Sequence, residues 1–193
     1  MENSCEWPGN DALMQKYHDE EWGVPLHDDR KLFEFLVLEG FQAGLSWRTI
    51  LHKREAFREV FCQFDPEAVA RFGQADVERL MQDARIIRNR LKIEACINNA
   101  RCFLRVREEY GSFDRYIWQF TNFRPEVHHF TALGMIPPKT ELSDLISADL
   151  KKRGFKFVGS TVVYAHMQAT GMVNDHLVHC FRHKETGQHD GYA

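Results

Sequence analysis

Apolar positions along the chain recur mainly with the period of a helix. Asp28-Asp29 opens a helix running to about Glu39, with acids in its first turn where the helix dipole favours them. Residues 46–61 read as a second helix with Ile50, Phe57 and Phe61 on one side. Asp65-Pro66 supplies an N-cap and a proline at the first helical position, opening a short helix to about Phe72. Asp76 to Gln82 forms another. The longest runs from about Asn89 to Glu109, its apolar set Ile93, Cys96, Ile97, Ala100, Phe103 and Leu104 holding helical spacing. Residues 112–120 and 141–152 follow, the latter stopped by Gly154, and 158–170 ends at Gly171. Residues 121–140, with prolines at 125, 137 and 138, read as one long loop, and 184–193 as a loose polar tail. No alternating strand stands out, so the expected class is all-α.

Composition narrows this little. The 193 residues are 44% hydrophobic and 27% charged, an ordinary globular balance in one domain. No apolar run approaches the roughly 18 residues of a membrane span, and the first ten residues have neither the basic nor the apolar region of a signal peptide. A soluble, cytoplasmic monomer is expected. The five cysteines (5, 62, 96, 102, 180) are odd in number and scattered, which favours free thiols in a reducing compartment over a disulfide framework.

Charge changes the picture more. Net charge is only −3, yet residues 1–40 carry ten acids and three bases, while residues 85–107 carry seven bases and one acid. Lys151, Lys152, Arg153 and Lys156 add a second basic cluster. One face therefore suits an anion. Residues 83–88 join two helices and end at a helix N-terminus, flanked by Arg88, Arg90 and Lys92, an arrangement that holds phosphates through backbone N–H groups and dipole. The turn lacks the usual hairpin glycines: Arg85 and Leu91 stand where they are expected. A plain junction in a helical bundle would look similar.

Chemistry concentrates near the N-terminus. Glu39 sits at a helix C-terminus, where the dipole disfavours a negative charge. A small-residue turn follows, with Leu45 shaped as a wedge and Trp47 opening the next helix. Trp7, Tyr17, Trp22 and Trp47 fall in the first 47 residues, and aromatic faces beside a carboxylate suit a flat cation. Each of these residues also fits simple packing or a solvated helix end. His176 and Cys180 are four apart, on one face if helical, and Cys5 and His18 would complete a Cys₂His₂ set, although the spacing is far from that of a zinc finger.

At Tyr17-His18-Asp19, Glu21 to Pro25, Glu39 to Trp47, Ile86-Ile87-Arg88 with Lys92-Ile93, Lys151 to Gly159 and Val173 to His176, the chain resembles the type I 3-methyladenine DNA glycosylases over roughly 1–183. The resemblance implies a two-lobed helical bundle of the helix–hairpin–helix glycosylase type, with that lobe about 38–110 and the second from 1–37 plus 111–183. It implies a monofunctional DNA repair enzyme that flips N3-methyladenine out of alkylated double-stranded DNA, releases the free base and leaves an abasic site, with no strand cleavage. Glu39 would contact the edge of the base, Tyr17 and Trp47 would sandwich it, and Trp22 and Trp7 would line the pocket. Leu45, Arg88, Arg90, Lys92 and Lys151 would meet DNA. One structural zinc would sit on Cys5, His18, His176 and Cys180. Two departures stand out: Met14 where the family carries tyrosine, and Phe41 where some members carry glutamine. Two other readings are a relative that removes oxidised pyrimidines and nicks DNA, whose cluster spacing these cysteines lack, and a zinc-stabilised module that binds damaged DNA without cleaving it.

Overall fold

The computed structural model describes residues 4–186. Its helices are α1 (Ala12–Glu20), α2 (Asp29–Gln42), α3 (Trp47–Leu51), α4 (Arg54–Val60), α5 (Pro66–Ala70), α6 (Gln74–Gln82), α7 (Arg90–Tyr110), α8 (Phe113–Trp118), α9 (Glu141–Lys152), α10 (Ser160–Ala169) and α11 (Phe181–Thr186). Helix starts follow the capping chemistry of the sequence. Asp11, Asp28, Ser46, Asp65, Asn89, Ser112 and Thr140 each accept a backbone N–H of the first turn.

Several expectations are corrected. The single helix over 46–61 is two, because the chain turns at His52-Lys53. Helix α1 went unread: its sequence is polar on most faces and buries only Met14, Tyr17 and His18. The proposed tail begins inside α11, and the part of it from 187 to 193 lies outside the described residues. The long loop over 121–140 is not featureless. Its strand β1 (Glu126–Val127) pairs in parallel with β2 (Val173–Asn174), Glu126 opposite Val173 and Val127 opposite Asn174. The described residues are thus mostly helical, with one minimal strand pair among them.

Helix α2 lies at the centre. Every residue from Leu32 to Phe41 is buried, so it is covered on all sides rather than along one stripe, and it packs on α3, α7, α8 and α10. Two apolar clusters result. The larger, around Phe33, Phe41, Phe57, Phe61, Phe103, Phe113 and Trp118, fills the body. The smaller joins Cys5, Met14, Tyr17, Trp22, Phe35, Leu51, Leu177 and Cys180, with Trp7 and Trp47 packed against it. No helix among the described residues is long and apolar enough to cross a membrane.

Candidate active site and metal centre

A cavity of about 330 Å³ opens on the smaller cluster, lined by Trp7, Tyr17, Trp22, Glu39, Gln42, Trp47, Leu133, Ile136, Ala165 and Gln168. All five pocket residues expected from sequence are present. Gln42, Leu133, Ile136, Ala165 and Gln168 were not foreseen. Leu133 and Ile136 arrive from the long loop, which the strand pair and the Val178 N–H to Phe130 carbonyl bond (2.9 Å) fasten to the C-terminal segment. Two apolar residues inside a proline-rich loop were the available signal.

Three buried polar atoms at this cavity have no hydrogen-bond partner among the described residues: Glu39 Oε2, Trp7 Nε1 and Trp47 Nε1. Unpaired buried donors and acceptors are rare and costly, and three around one cavity mark a place prepared for a polar guest. Glu39 is 4% exposed, and burial pushes its pKa up to about 8. With no cation beside it among the described residues, it is therefore mostly a neutral acid at pH 7. Tyr17 stays a neutral phenol: burial raises its pKa well above the ordinary value, and Glu39 adds to the effect.

The aromatic walls differ from the expected sandwich. Tyr17 and Trp47 touch, with ring centroids 5.2 Å apart and planes at 46°. A flat ring between two faces needs about 7 Å between parallel planes, so these rings form adjoining walls, not jaws. Trp7 stands edge-on to Trp22 at 5.2 Å and to Tyr17 at 6.2 Å. Met14 is buried in the same cluster but is not a pocket wall. Phe41 is a core residue, 1% exposed and packed on Phe57 at 4.7 Å.

The turn after α2 is built from its loose carbonyls. Lys92, expected among phosphate contacts, is 9% exposed and donates to Phe41 O (2.8 Å) and Ala43 O (2.5 Å). A cation on the last carbonyls of a helix satisfies acceptors that lack intrahelical partners and opposes the negative end of the dipole. Its charge is spent there, not on a surface. Gly44, at φ +80°, then lets the chain reverse, and Leu45 stands out 42% exposed before Ser46 caps α3. Arg88 and Lys151 are exposed. Arg90 is exposed in part and bound to Glu78 at 2.9 Å, so its charge is already matched.

Cys5, His18, His176 and Cys180 converge, all buried, their donor atoms within 4.8 Å of one another. His176 and Cys180 do not share a helix face, as the spacing suggested; they lie in a turn between β2 and α11. His18 Nε2 and His176 Nδ1 are 3.2 Å apart, and sulfur–nitrogen separations are 3.6–3.8 Å. Tetrahedral bonds of about 2.0 Å to nitrogen and 2.3 Å to sulfur give nitrogen–nitrogen and nitrogen–sulfur edges of about 3.3 and 3.5 Å. The outer ring nitrogens are engaged: His18 Nδ1 with Asp19 (2.7 Å) and His176 Nε2 with the Trp22 carbonyl (2.9 Å). Donating outward leaves two lone pairs facing inward, an arrangement a cation relieves. The donor set therefore fits a closed structural metal site. It also abuts the pocket, since His176 holds Trp22 and Tyr17 adjoins His18. Gly23, at φ +77°, is required here: a Cβ would stand 2.9 Å from His176 Nε2.

The mostly helical fold is shared with solved relatives, and the relatives of this chain are glycosylases, enzymes that act on N-glycosyl bonds. A family model described as methyladenine glycosylase matches residues 7–183. The DNA-3-methyladenine glycosylase 1 of Escherichia coli is 54% identical over 176 residues, 91% of this chain and 94% of that protein. The DNA-3-methyladenine glycosylase of Haemophilus influenzae is 46% identical over 180 residues, 93% and 97% of the two. A structure solved to show 3-methyladenine recognition by the Staphylococcus aureus enzyme superposes with TM-score 0.90 at 38% identity, covering 93% of this chain and 96% of that one. The chain belongs to the methyladenine glycosylase family.

Proposed function

We propose that this protein is a monofunctional DNA repair glycosylase that excises N3-methyladenine from alkylated double-stranded DNA by hydrolysis, as a monomer in the cytoplasm. The observation that carries the reading is the trio of unpartnered polar atoms, Glu39 Oε2, Trp7 Nε1 and Trp47 Nε1, around one aromatic cavity.

Methylation at N3 makes the base in DNA cationic, so it leaves as a neutral molecule and needs no protonation. Unstacking it costs a few kcal/mol, least at a damaged pair. The flipped ring lies against Tyr17 and Trp47, whose faces attract a cation by about 0.5–2 kcal/mol and give a neutral adenine no such preference. The positive ring draws Glu39 toward its carboxylate form, which then accepts from the base edge and stabilises the charge. Trp22 and Trp7 close the pocket. Water attacks the sugar at C1′, the glycosyl electrons leave with the base, and the water's proton passes to solvent.

We read α6, the turn 83–89 and α7 as a helix–hairpin–helix in a lobe spanning about 38–110, with 1–37 and 111–183 forming the other. Arg88 and Lys151 meet phosphates, Arg90 more weakly because of Glu78, and Leu45 fills the gap in the stack. Zinc on Cys5, His18, His176 and Cys180 would tie both ends of the chain together beside Trp22, in a purely structural role.

The test is incubation with N-methylated duplex DNA, analysis of released bases, and a check for nicks. Free 3-methyladenine from an intact, alkali-labile strand is expected. Binding without release, or direct nicking, overturns the reading.

A further inference from the structure

Asp175 belongs to the motif at 173–176, yet it neither ligates in the Cys/His cluster nor lines the pocket. It is fully buried, and three side chains hold it. His128 Nδ1 meets Oδ1 at 2.6 Å, while Tyr164 Oη and Gln168 Nε2 both donate to Oδ2, at 2.6 and 2.7 Å. Tyr164 and Gln168 are one turn apart on α10, so they share a face.

The consequence lies in the amide. A carboxylate offers only acceptors, so only the NH₂ end of Gln168 can face Asp175. This removes the usual ambiguity between amide oxygen and nitrogen. The backbone is pinned as well, because the Gly23 N–H donates to the Gln168 carbonyl at 2.9 Å. Gln168 is half-buried on the cavity wall, and its Oε1 carries no hydrogen bond among the described residues.

We propose that Gln168 is a specificity-determining residue whose Oε1, oriented by Asp175, accepts an N–H from the exocyclic amino group of the bound base. An amide oxygen welcomes an amino edge and repels an oxo edge, so the residue selects adenine-type over guanine- or hypoxanthine-type alkylated purines. The inference rests on the cavity being the base pocket.

The test uses the full chain and tryptophan fluorescence to measure binding of free 3-methyladenine and of 3-methylhypoxanthine, which carries an oxo group in place of the amine. The wild type is expected to prefer the amine. Gln168→Met, which keeps the length of the side chain, should lower that preference about tenfold, and Gln168→Ala gives a second reading should the methionine pack badly. Tyr164→Phe removes the other donor from the same Asp175 oxygen and should leave the preference intact. An unchanged preference in both Gln168 variants overturns the inference, as does an equal loss in Tyr164→Phe, which would make the effect one of packing. A wild type that binds both bases alike sinks this inference alone. One that binds neither sinks the pocket assignment itself.

Discussion

Helix α2 buries two glutamates five residues apart, and the protein treats them in opposite ways. Glu34 is 5% exposed and held by Arg54 at 2.5 Å and Arg58 at 2.9 Å; Arg54 also reaches Glu21 at 2.8 Å and lies over the Phe35 ring. Glu39 is just as buried, has no cation beside it among the described residues, and leaves its buried Oε2 without a partner there. The first half of the helix is finished; the second is left open. Stability alone would close both, since an unpaired buried carboxyl costs more than a paired one. The open half is where a positive ring can supply the missing partner, and the Cys/His cluster lies behind its wall.

The largest effect that could break this contrast lies in that cluster. Cys180→Ser should abolish stoichiometric metal, expected at about one ion per chain, and lower the melting temperature by on the order of 10 °C. Metal analysis and a thermal scan check it. Unchanged melting would mean that the wall of the open half stands without the ion.

Next comes the closed half. Arg54→Met leaves the buried Glu34 with only the half-buried Arg58 and should destabilise by about 3 kcal/mol, the low end for breaking a buried pair, because part of the compensation remains. Denaturant unfolding at pH 7 measures it. A loss below about 1 kcal/mol would put the pair in the class of exposed bridges and dissolve the comparison.

Glu39→Gln tests the open half with the opposite sign. A carboxyl whose pKa rises from 4.5 to about 8 on folding binds its proton more tightly in the native state, so the empty protein loses stability as pH climbs through that window, and the loss is complete above pH 8. The variant removes that slope, and at pH 9 should be more stable than wild type by on the order of a few kcal/mol. Excision should fall nonetheless. The base in DNA is permanently positive, so a wild-type pocket must release a proton to accept it below pH 8. Its KM should therefore improve as pH rises toward 8, and that dependence should vanish in the variant. Equal stability of both proteins from pH 5 to 9 would show that Glu39 is solvated.

This contrast was half legible in the sequence. The helix, its acid-rich start and the misplaced charge at its end all follow from capping and dipole rules, as do Tyr17, Trp47 and the four cluster residues by resemblance. What escaped depends on distance in space. Nothing local marks Arg54 as the partner of Glu34, twenty residues away, or Gln168 as a neighbour of Glu39 across the pocket. Lys92 shows the limit most clearly. Its place in a basic stretch predicts a phosphate contact, and only the packing of α7 against α2 turns its ammonium inward.

The smallest expected effects separate those two roles. Lys92→Met strips the Phe41 and Ala43 carbonyls of their donor and should cost about 1–3 kcal/mol. It should slow excision through the turn that carries Leu45 and Trp47, while leaving the salt dependence of DNA binding unchanged. Arg88→Ala should do the reverse. Arg88 is exposed, so melting should hold within about 0.5 kcal/mol. Removing one cation from a phosphate lowers the slope of log affinity against log salt by about 0.9. Binding isotherms at several salt concentrations, paired with thermal scans, give both numbers for both variants. A reduced salt slope in Lys92→Met would return that lysine to the DNA surface, and the end of α2 would then need another explanation for how it is held.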